Sequence, residues 1–446
     1  MKKKVPVVSV AEVETATLAG LGVEATVALS DVAGAVKDGL LGFCADVGLV
    51  VMAQMLDAEM TARVGPKHAK IPGREANWHG TTTGPVVLGG RQVSVSRPRG
   101  RTVAGEEIEL EAWQAFSSKD LLDRLTVERM LAGVATRRHV DVAEPLSAEV
   151  GTVAKATGRS SVSRRFKRAT EAALAELMAR DLSDLEVAVI MIDGLAVAGH
   201  CVVVALAITS DGTKVPVGLW LGDTENKTVV TGLLADLVAR GLSADGGLLA
   251  VLDGAKALAA GVKKVFGDQT LIQRCTLHKR RNVKGYLPKE LGSKIDWRLG
   301  RAFAEADPAK GLDQAKRIAG ELKADHPDAA ASLLEGLEEM FTLRRLGVAG
   351  SLASTLTNTN CIESMISVAR TTMGNVKNWK DGSMKKRWVA AGMLEAERNF
   401  RRVRGCKDMP NLVAALRRRR DDHTRQLRSG CCLINAATTA ELQHRP

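Results

Sequence analysis

The sequence predicts a mixed α/β protein: a β-rich core carrying an all-helical insertion, preceded by a mainly helical region. Three observations lead there. Helical periodicity dominates residues 1–180 apart from one Gly- and Pro-rich interval. From residue 185 the pattern changes to short Val/Ile-rich runs separated first by turn residues and then by helical stretches. Residues 287–355 return to helix formers with almost no strand signal. A chain of 446 residues has room for roughly two to four domains.

Composition narrows the function classes. Hydrophobic residues are 45% and charged residues 26%, which excludes wholesale disorder. The 63 Lys and Arg against 51 Asp and Glu leave a net charge of +12. Such a surplus points to an anionic partner, nucleic acid being the commonest, although a solvated basic surface has the same signature. Aromatic residues are only 3%, which argues against a single-strand reader that stacks bases and favours a duplex held through its phosphates. The seven cysteines are odd in number and scattered, which fits no disulfide framework. Met1-Lys2-Lys3-Lys4 is basic but no apolar signal core follows it. The longest apolar stretch, 187–209, is interrupted by Asp193, Gly194, Gly199 and His200 and reads as strands rather than a membrane span. A cytoplasmic, nucleoid-associated protein with no membrane partner is expected.

Taken in order, residues 1–118 read as a helical region with a small hairpin. Ser30-Asp31 is a plausible helix start ahead of an amphipathic run to Arg63. Val86-Val87-Leu88, Gly89-Gly90 and Val93-Ser94-Val95 make the hairpin, and Arg97-Pro98-Arg99-Gly100-Arg101 looks like a basic arm that follows a phosphate backbone. Residues 119–184 are expected to form a helix-turn-helix domain. Leu121, Leu122, Leu125, Met130 and Leu131 fit one buried helix face; a second helix lies near 150–157. After Gly158 comes a Ser-capped basic helix with Arg164, Arg165, Lys167 and Arg168 suited to phosphate and guanine contacts. An ordinary basic helix in a bundle would look similar.

Residues 185–286 predict strands at 186–193, 200–209 and 214–221, the last two turning at Asp211-Gly212. Then come a helix at 228–240, a strand at 248–253, a helix at 256–266, a strand at 270–273 and a basic helix at 279–286. That β-β-β-α-β-α-β-α order matches a ribonuclease H-like layered core with a mixed sheet. Residues 287–355 read as the all-helical insertion, with helices at 314–322 and 329–345. Residues 356–405 supply the final helical part of the core, and 406–446 a basic carboxy-terminal helix and tail.

Three carboxylates stand at telling places. Asp193 ends the first strand of this core, Asp253 the fourth, and Glu363 begins a late helix. Each has a plainer reading: Asp193-Gly194 as a hairpin turn, Asp253 as a helix cap, and Asn360-x-x-Glu363 as a capping box. Together they say more, because the first and fourth strands of such a sheet are parallel neighbours whose ends converge. Three unpaired carboxylates that close repel unless a cation neutralises them. Hard oxygen donors with room for water and phosphate select two Mg²⁺ or Mn²⁺ ions that would serve in-line phosphodiester attack. Cys275-x-x-His278 resembles a zinc half-site, but it lacks a second ligand pair nearby; no zinc is expected. Cys275 and His278 are expected beside the carboxylates, with Lys279, Arg280 and Arg281 contacting phosphate.

These motifs, in this order, resemble the DDE signature of Mutator-type bacterial insertion-sequence transposases. The resemblance rests on Asp193-Gly194, Asp253-Gly254-Ala255-Lys256, the Cys275-x-x-His278 block and Asn358-Thr359-Asn360-Cys361-Ile362-Glu363-Ser364. It extends from Trp78-His79-Gly80 to Leu416 and takes in Gly222-Asp223-Thr224-Glu225-Asn226-Lys227. It implies Asp193, Asp253 and Glu363 as catalytic metal ligands, Cys275 and His278 as an accessory motif, and an insertion between the second Asp and the Glu. It implies binding of terminal inverted repeats and target DNA by a homodimer or higher oligomer, with strand cleavage and strand transfer. Trp297 and Trp379 are candidates for stacking on a distorted base, core burial being the commoner fate of a tryptophan, and Trp388 reads as a core anchor. The rival readings are a structure-specific ribonuclease H-like nuclease without strand transfer and a transposon-derived DNA-binding regulator without catalysis.

Overall fold

In the computed structural model, which describes residues 39–88, 90–117, 120–139, 141–143, 158–267, 270–422 and 425, the chain divides into two compact units, Met1–Ala169 and Thr170–Pro446. The proposed helix start at Ser30-Asp31, the second predicted helix near 150–157 and the Cys431-Cys432 tail lie outside the described residues.

In the first unit, Met52, Leu56, Met60 and Val64 recur every fourth residue of α1 (Gly39–Val64) and are all buried. One stripe of a helix needs such spacing to meet a flat partner. The partner is the antiparallel hairpin of β1 (Ala76–Leu88) and β2 (Arg91–Thr102), which contributes Val86 and Val93 to the same core. Gly90, with φ +73°, supplies the left-handed residue of the two-residue turn. The hairpin is longer than the predicted one because its outer face is polar and lacks an apolar signal. The basic arm is corrected: these arginines are strand residues. Arg99 donates to both oxygens of Glu107 at 2.9 and 2.8 Å, and Arg97 lies over the Trp113 ring at 5.0 Å. Two short helices follow, α2 (Glu111–Ser117) and α3 (Asp120–Leu131), and then α4 (Arg159–Ala179), whose residues up to Ala169 belong to the first unit.

The second unit is built on a five-stranded mixed sheet in the order β5-β4-β3-β6-β7. Its strands are β3 (Val187–Val197), β4 (His200–Thr209), β5 (Lys214–Gly222), β6 (Leu249–Leu252) and β7 (Leu271–Arg274). The first three are joined antiparallel by short turns, whereas β6 and β7 run parallel to β3 and are reached through α5 (Lys227–Ala239) and α6 (Lys256–Phe266). Parallel strands buried on both faces are apolar throughout, and Val189, Ile190, Met191 and Ile192 are all fully buried. Side chains alternate faces along a strand. Ile190 and Ile192 pack with Leu233, Leu237, Leu258 and Val262 of α5 and α6, so Val189, Met191 and Asp193 point to the opposite face.

After β7 the chain enters α7 (Thr276–Gly285) and the insertion: α8 (Lys289–Ala304), α9 (Pro308–Leu322), α10 (Pro327–Leu334), a 3₁₀ turn at Leu337–Phe341, α11 (Thr342–Arg345) and α12 (Gly350–Leu356). The predicted single helix at 329–345 is interrupted at Gly336, which takes φ +61° and would clash with Arg274 if it carried a Cβ. The insertion has its own core, with Leu299, Ile318, Leu333 and Phe341 buried together. Buried Gln273 ties that core to the sheet, donating to the Met340 carbonyl at 3.0 Å and accepting from the Leu343 amide at 3.0 Å. The predicted helical run to 403 is two helices, α13 (Asn360–Met373) and α14 (Gly382–Arg398), the second capped by Asp381 through the Met384 amide at 2.6 Å. Both pack on the sheet, α13 on β3 and α14 on β5. A last helix, α15 (409–422), buries Met409, Leu412 and Leu416.

Candidate active site

Register brings the first two acidic residues together. The parallel ladder between β3 and β6 ends at the pair Ile192 and Leu252, so the next residues, Asp193 and Asp253, leave neighbouring strands about 4.8 Å apart. Asp193 does not end its strand as predicted. β3 continues to Val197, Asp193 pairs with Val204 of β4, and the turn falls at Ala198-Gly199. What ends at Asp193 is the parallel ladder, which sequence patterning cannot separate from the strand itself. The hairpin-turn reading of Asp193-Gly194 is therefore excluded.

Glu363 arrives on the first turn of α13, the helix that packs against β3. The capping-box reading fails, because the Asn360 amide donates to Asn358 Oδ1 at 3.0 Å and not to Glu363. Asp253 uses one oxygen to accept from the Ala255 amide at 2.8 Å, in a local turn. Asp193 accepts from the Gly194 amide at 2.7 Å.

A fourth carboxylate, Glu225, joins from the α5 side and was not singled out from the sequence. Its Oε2 would be 2.4 Å from a Cβ at position 194, so it occupies space that Gly194 leaves open. Burial and the neighbouring charges of Asp253 and Asp193 push the Glu225 carboxyl up to about 7. Burial, with Asp253 and Glu363 nearby, likewise pushes Asp193 up to about 6, against the pull of the Gly194 amide and His278. The available signal was an acidic residue directly before the Asn226 cap of α5, whose side chain accepts from the Val229 amide at 3.1 Å.

His278 and Cys275 lie on the Glu363 side. His278 Nδ1 is 3.8 Å from Glu363 Oε1. The Cys275 hydrogen bond chiefly raises the His278 pKa. Burial pushes the Cys275 thiol up, but hydrogen bonds with His278 and Thr359 outweigh it and hold the thiol below its usual value. Among the described residues, Cys275, His278 and Glu363 form the one group of three ligand-type side chains whose donor atoms all lie within 4.8 Å of one another. The Asp193, Asp253 and Glu363 set is more open, as two ions about 3.5–4 Å apart would require. Its donors are all hard oxygens, burial and then like charge push the Asp193 carboxyl toward neutrality, and a divalent cation fits such a set.

The proposed phosphate contacts divide. Lys279 is 5% exposed, and its ammonium donates to the carbonyls of Ser332 and Glu335 at 2.6 and 2.8 Å, so it holds α7 to the insertion rather than contacting DNA. Arg280 is committed to both oxygens of Asp296 at 2.8 and 2.9 Å. Arg281 is exposed. On α4, Arg164 and Lys167 are exposed, whereas Arg165 and Arg168 both pair with Asp123 of α3. Trp297 is 61% exposed with Arg301 against its ring at 5.0 Å, contrary to core burial; Trp379 is half-buried, and Trp388 is buried as an anchor.

The five-stranded mixed sheet with its helical insertion makes this an α/β protein with acidic residues just past the β3–β6 parallel ladder. The Mutator family transposase profile matches residues 22–403, and the chain belongs to that family. Over 198 residues it is 28% identical to the transposase for insertion sequence element IS6120 of Mycolicibacterium smegmatis, covering 43% of this chain and 60% of that relative. Over 231 residues it is 28% identical to the transposase for insertion sequence element IST2 of Acidithiobacillus ferrooxidans, covering 48% and 75%. A shorter match, 38% over 82 residues, is to a probable transposase for insertion sequence element ISRM3-like of Sinorhizobium fredii, covering 18% and 20%. Among the described residues no helix is long and apolar enough to cross a membrane.

Proposed function

We propose that the chain is the DNA transposase of an insertion sequence, binding the element's terminal inverted repeats and catalysing metal-dependent strand cleavage and strand transfer. The observation that carries the reading is the register of β3 and β6, which sets Asp193 beside Asp253, with Glu363 brought to the same face by α13. The sheet, with three antiparallel strands followed by two parallel ones and a helical insertion before α13, supports a ribonuclease H-like core. Asp193, Asp253 and Glu363 would hold two Mg²⁺ or Mn²⁺ ions. Such ions, when bound, activate the attacking oxygen and stabilise the leaving one during in-line displacement. The residues themselves hold the site just past the β3–β6 parallel ladder, in the middle of the sheet, with His278 beside Glu363. One geometry then serves both steps: water attacks a phosphodiester, leaving the phosphate on a 5′ end and freeing a 3′-hydroxyl, and that hydroxyl attacks a phosphodiester of the target, displacing the target's own 3′-hydroxyl. Two ends must be cut in concert, so a homodimer or larger assembly on DNA is expected.

The test is a joining assay with pre-cleaved inverted-repeat ends, Mg²⁺ or Mn²⁺ and a plasmid target. Covalent end-to-target product is expected; cleavage of uncut ends without any joining would leave a nuclease instead. A companion measurement addresses the binding surface. Arg164→Ala with Lys167→Ala should weaken binding to the ends and lower the slope of log affinity against log salt by roughly one for each lost phosphate contact. An unchanged slope would move the DNA contacts off α4.

A further inference from the structure

We propose that Thr359 is the positioning residue of Glu363, and that the Cys-x-x-His motif serves to hold this threonine in place. The proposal rests on the catalytic reading of Glu363 and assigns a task to residues that reading leaves without one.

Thr359 is completely buried, at the first residue before α13. Its hydroxyl lies 2.6 Å from Glu363 Oε1, 3.3 Å from His278 Nδ1 and 3.4 Å from Cys275 Sγ. A hydroxyl has one hydrogen, and the shortest contact assigns it to the carboxylate, leaving its lone pairs toward Nδ1 and Sγ. The Thr359 carbonyl also accepts the Glu363 amide at 3.0 Å. Glu363 is thus held by main chain and side chain of the same residue, with one oxygen taken up and the other left to the site.

The three potential ligands around this hydroxyl are the closest such group among the described residues, yet a zinc ion would need donors at about 2.0–2.3 Å around a vacant centre. Here the Thr359 oxygen is in contact with all three donors and takes the place at their centre. The arrangement is a hydrogen-bonded node.

The node is anchored to the strand that carries the second aspartate. The Cys275 amide donates to the Leu252 carbonyl at 2.7 Å, one residue before Asp253. Cys275 then caps α7 through the His278 amide at 3.5 Å. The next residue, Thr276, donates both its amide, at 2.9 Å, and its hydroxyl, at 3.1 Å, to the Thr357 carbonyl. A continuous route therefore runs from the end of β6 through Cys275 and the 357–359 segment to Glu363. It fixes the third carboxylate relative to the second across the long insertion that separates them in sequence. Orienting partners of metal-binding carboxylates typically contribute roughly 10–100-fold to activity or ion affinity.

The experiment compares Thr359→Val and Thr359→Ser in the full-length protein. Thr359→Val, nearly isosteric, should lower the rate of joining pre-cleaved ends by roughly 10–100-fold and raise the Mn²⁺ concentration that half-saturates its thermal stabilisation. End-DNA affinity should stay close to wild type, and the metal-free melting temperature, lowered by the lost buried hydrogen bonds, serves as the baseline from which the Mn²⁺ midpoint is read. Thr359→Ser, which keeps the hydroxyl, should restore both activity and the Mn²⁺ midpoint to within a few-fold. Wild-type joining and Mn²⁺ midpoint in Thr359→Val would overturn the proposal, as would equal loss in the valine and serine variants. Glu363→Gln separates the two readings: if it joins ends normally, the catalytic assignment fails; if it is dead while Thr359→Val is normal, only the positioning role fails.

Discussion

Asp193→Asn, Asp253→Asn and Glu363→Gln should each lower cleavage and joining by on the order of 10³-fold or more, while retaining affinity for the inverted-repeat ends. Each substitution removes one charge and little volume, so the end of the β3–β6 ladder keeps its packing. Losses of this order are what removal of a single preorganised electrostatic stabiliser of a transition state produces. The three act as one ion-holding unit, so a double variant should lose little more than a single one. Gel-shift titration on end DNA and a joining assay on the same preparations give the two readouts. Parallel loss of DNA binding in all three variants would mean that these carboxylates support the fold instead.

The second large effect is on stability. Asp193 titrates near 6 instead of 3.8, because burial, Asp253 and Glu363 oppose its ionisation more than the Gly194 amide and His278 favour it. A carboxyl whose pKa is raised by folding stabilises the native state while protonated, below its unfolded value, and that contribution is lost as pH rises through the folded value. For Asp193 the displacement corresponds to about 3 kcal/mol, lost between about pH 4 and pH 6. Glu225, raised from 4.5 to about 7, extends the same trend to neutral pH with a smaller, solvent-screened share. Thermal melting without divalent ions should therefore fall by several degrees between pH 4 and pH 7.5 once the other titrations are subtracted through Asp193→Asn, which should be more stable than wild type only at the upper end. Mg²⁺ or Mn²⁺ should recover the loss at pH 7.5 and do little at pH 4.5. Identical pH profiles for wild type and Asp193→Asn would show that no such strain is stored at the site.

The +12 charge also changes meaning with the structure in view. Of the basic clusters that stand out in sequence, Lys279 and Arg280 hold the insertion, and Arg99 is occupied by Glu107. Lys385 and Arg387 are buried on α14, Lys385 donating to the Ala198 carbonyl at 3.2 Å and Arg387 to Thr170 Oγ1 at 2.9 Å. A run of positive charge in a sequence marks solubility and partner class, but each side chain's partner depends on what the fold brings opposite it.

Much of the core was legible from local chemistry. The order of strands and helices from 187 to 285 followed from Val/Ile runs, turn residues and helical periodicity, because short-range preference and burial agree there. Asp193, Asp253 and Glu363 stood out as a set, because each alone has an ordinary local role as a turn, cap or first-turn acid and only their combination suggests a cation site. Three things needed the tertiary structure. The pairing of Ile192 with Leu252, which makes two distant aspartates neighbours, is a register between strands separated by a helix and a hairpin. The approach of Glu225 into the space beside Gly194 is visible only when both are in place. The gathering of Cys275, His278 and Glu363 around Thr359 joins segments on either side of the whole helical insertion. Sequence by itself determined which elements form and which residue types they bear, since both follow from local pattern. The tertiary structure decided which of those residues meet, since that depends on long-range packing that no local pattern contains.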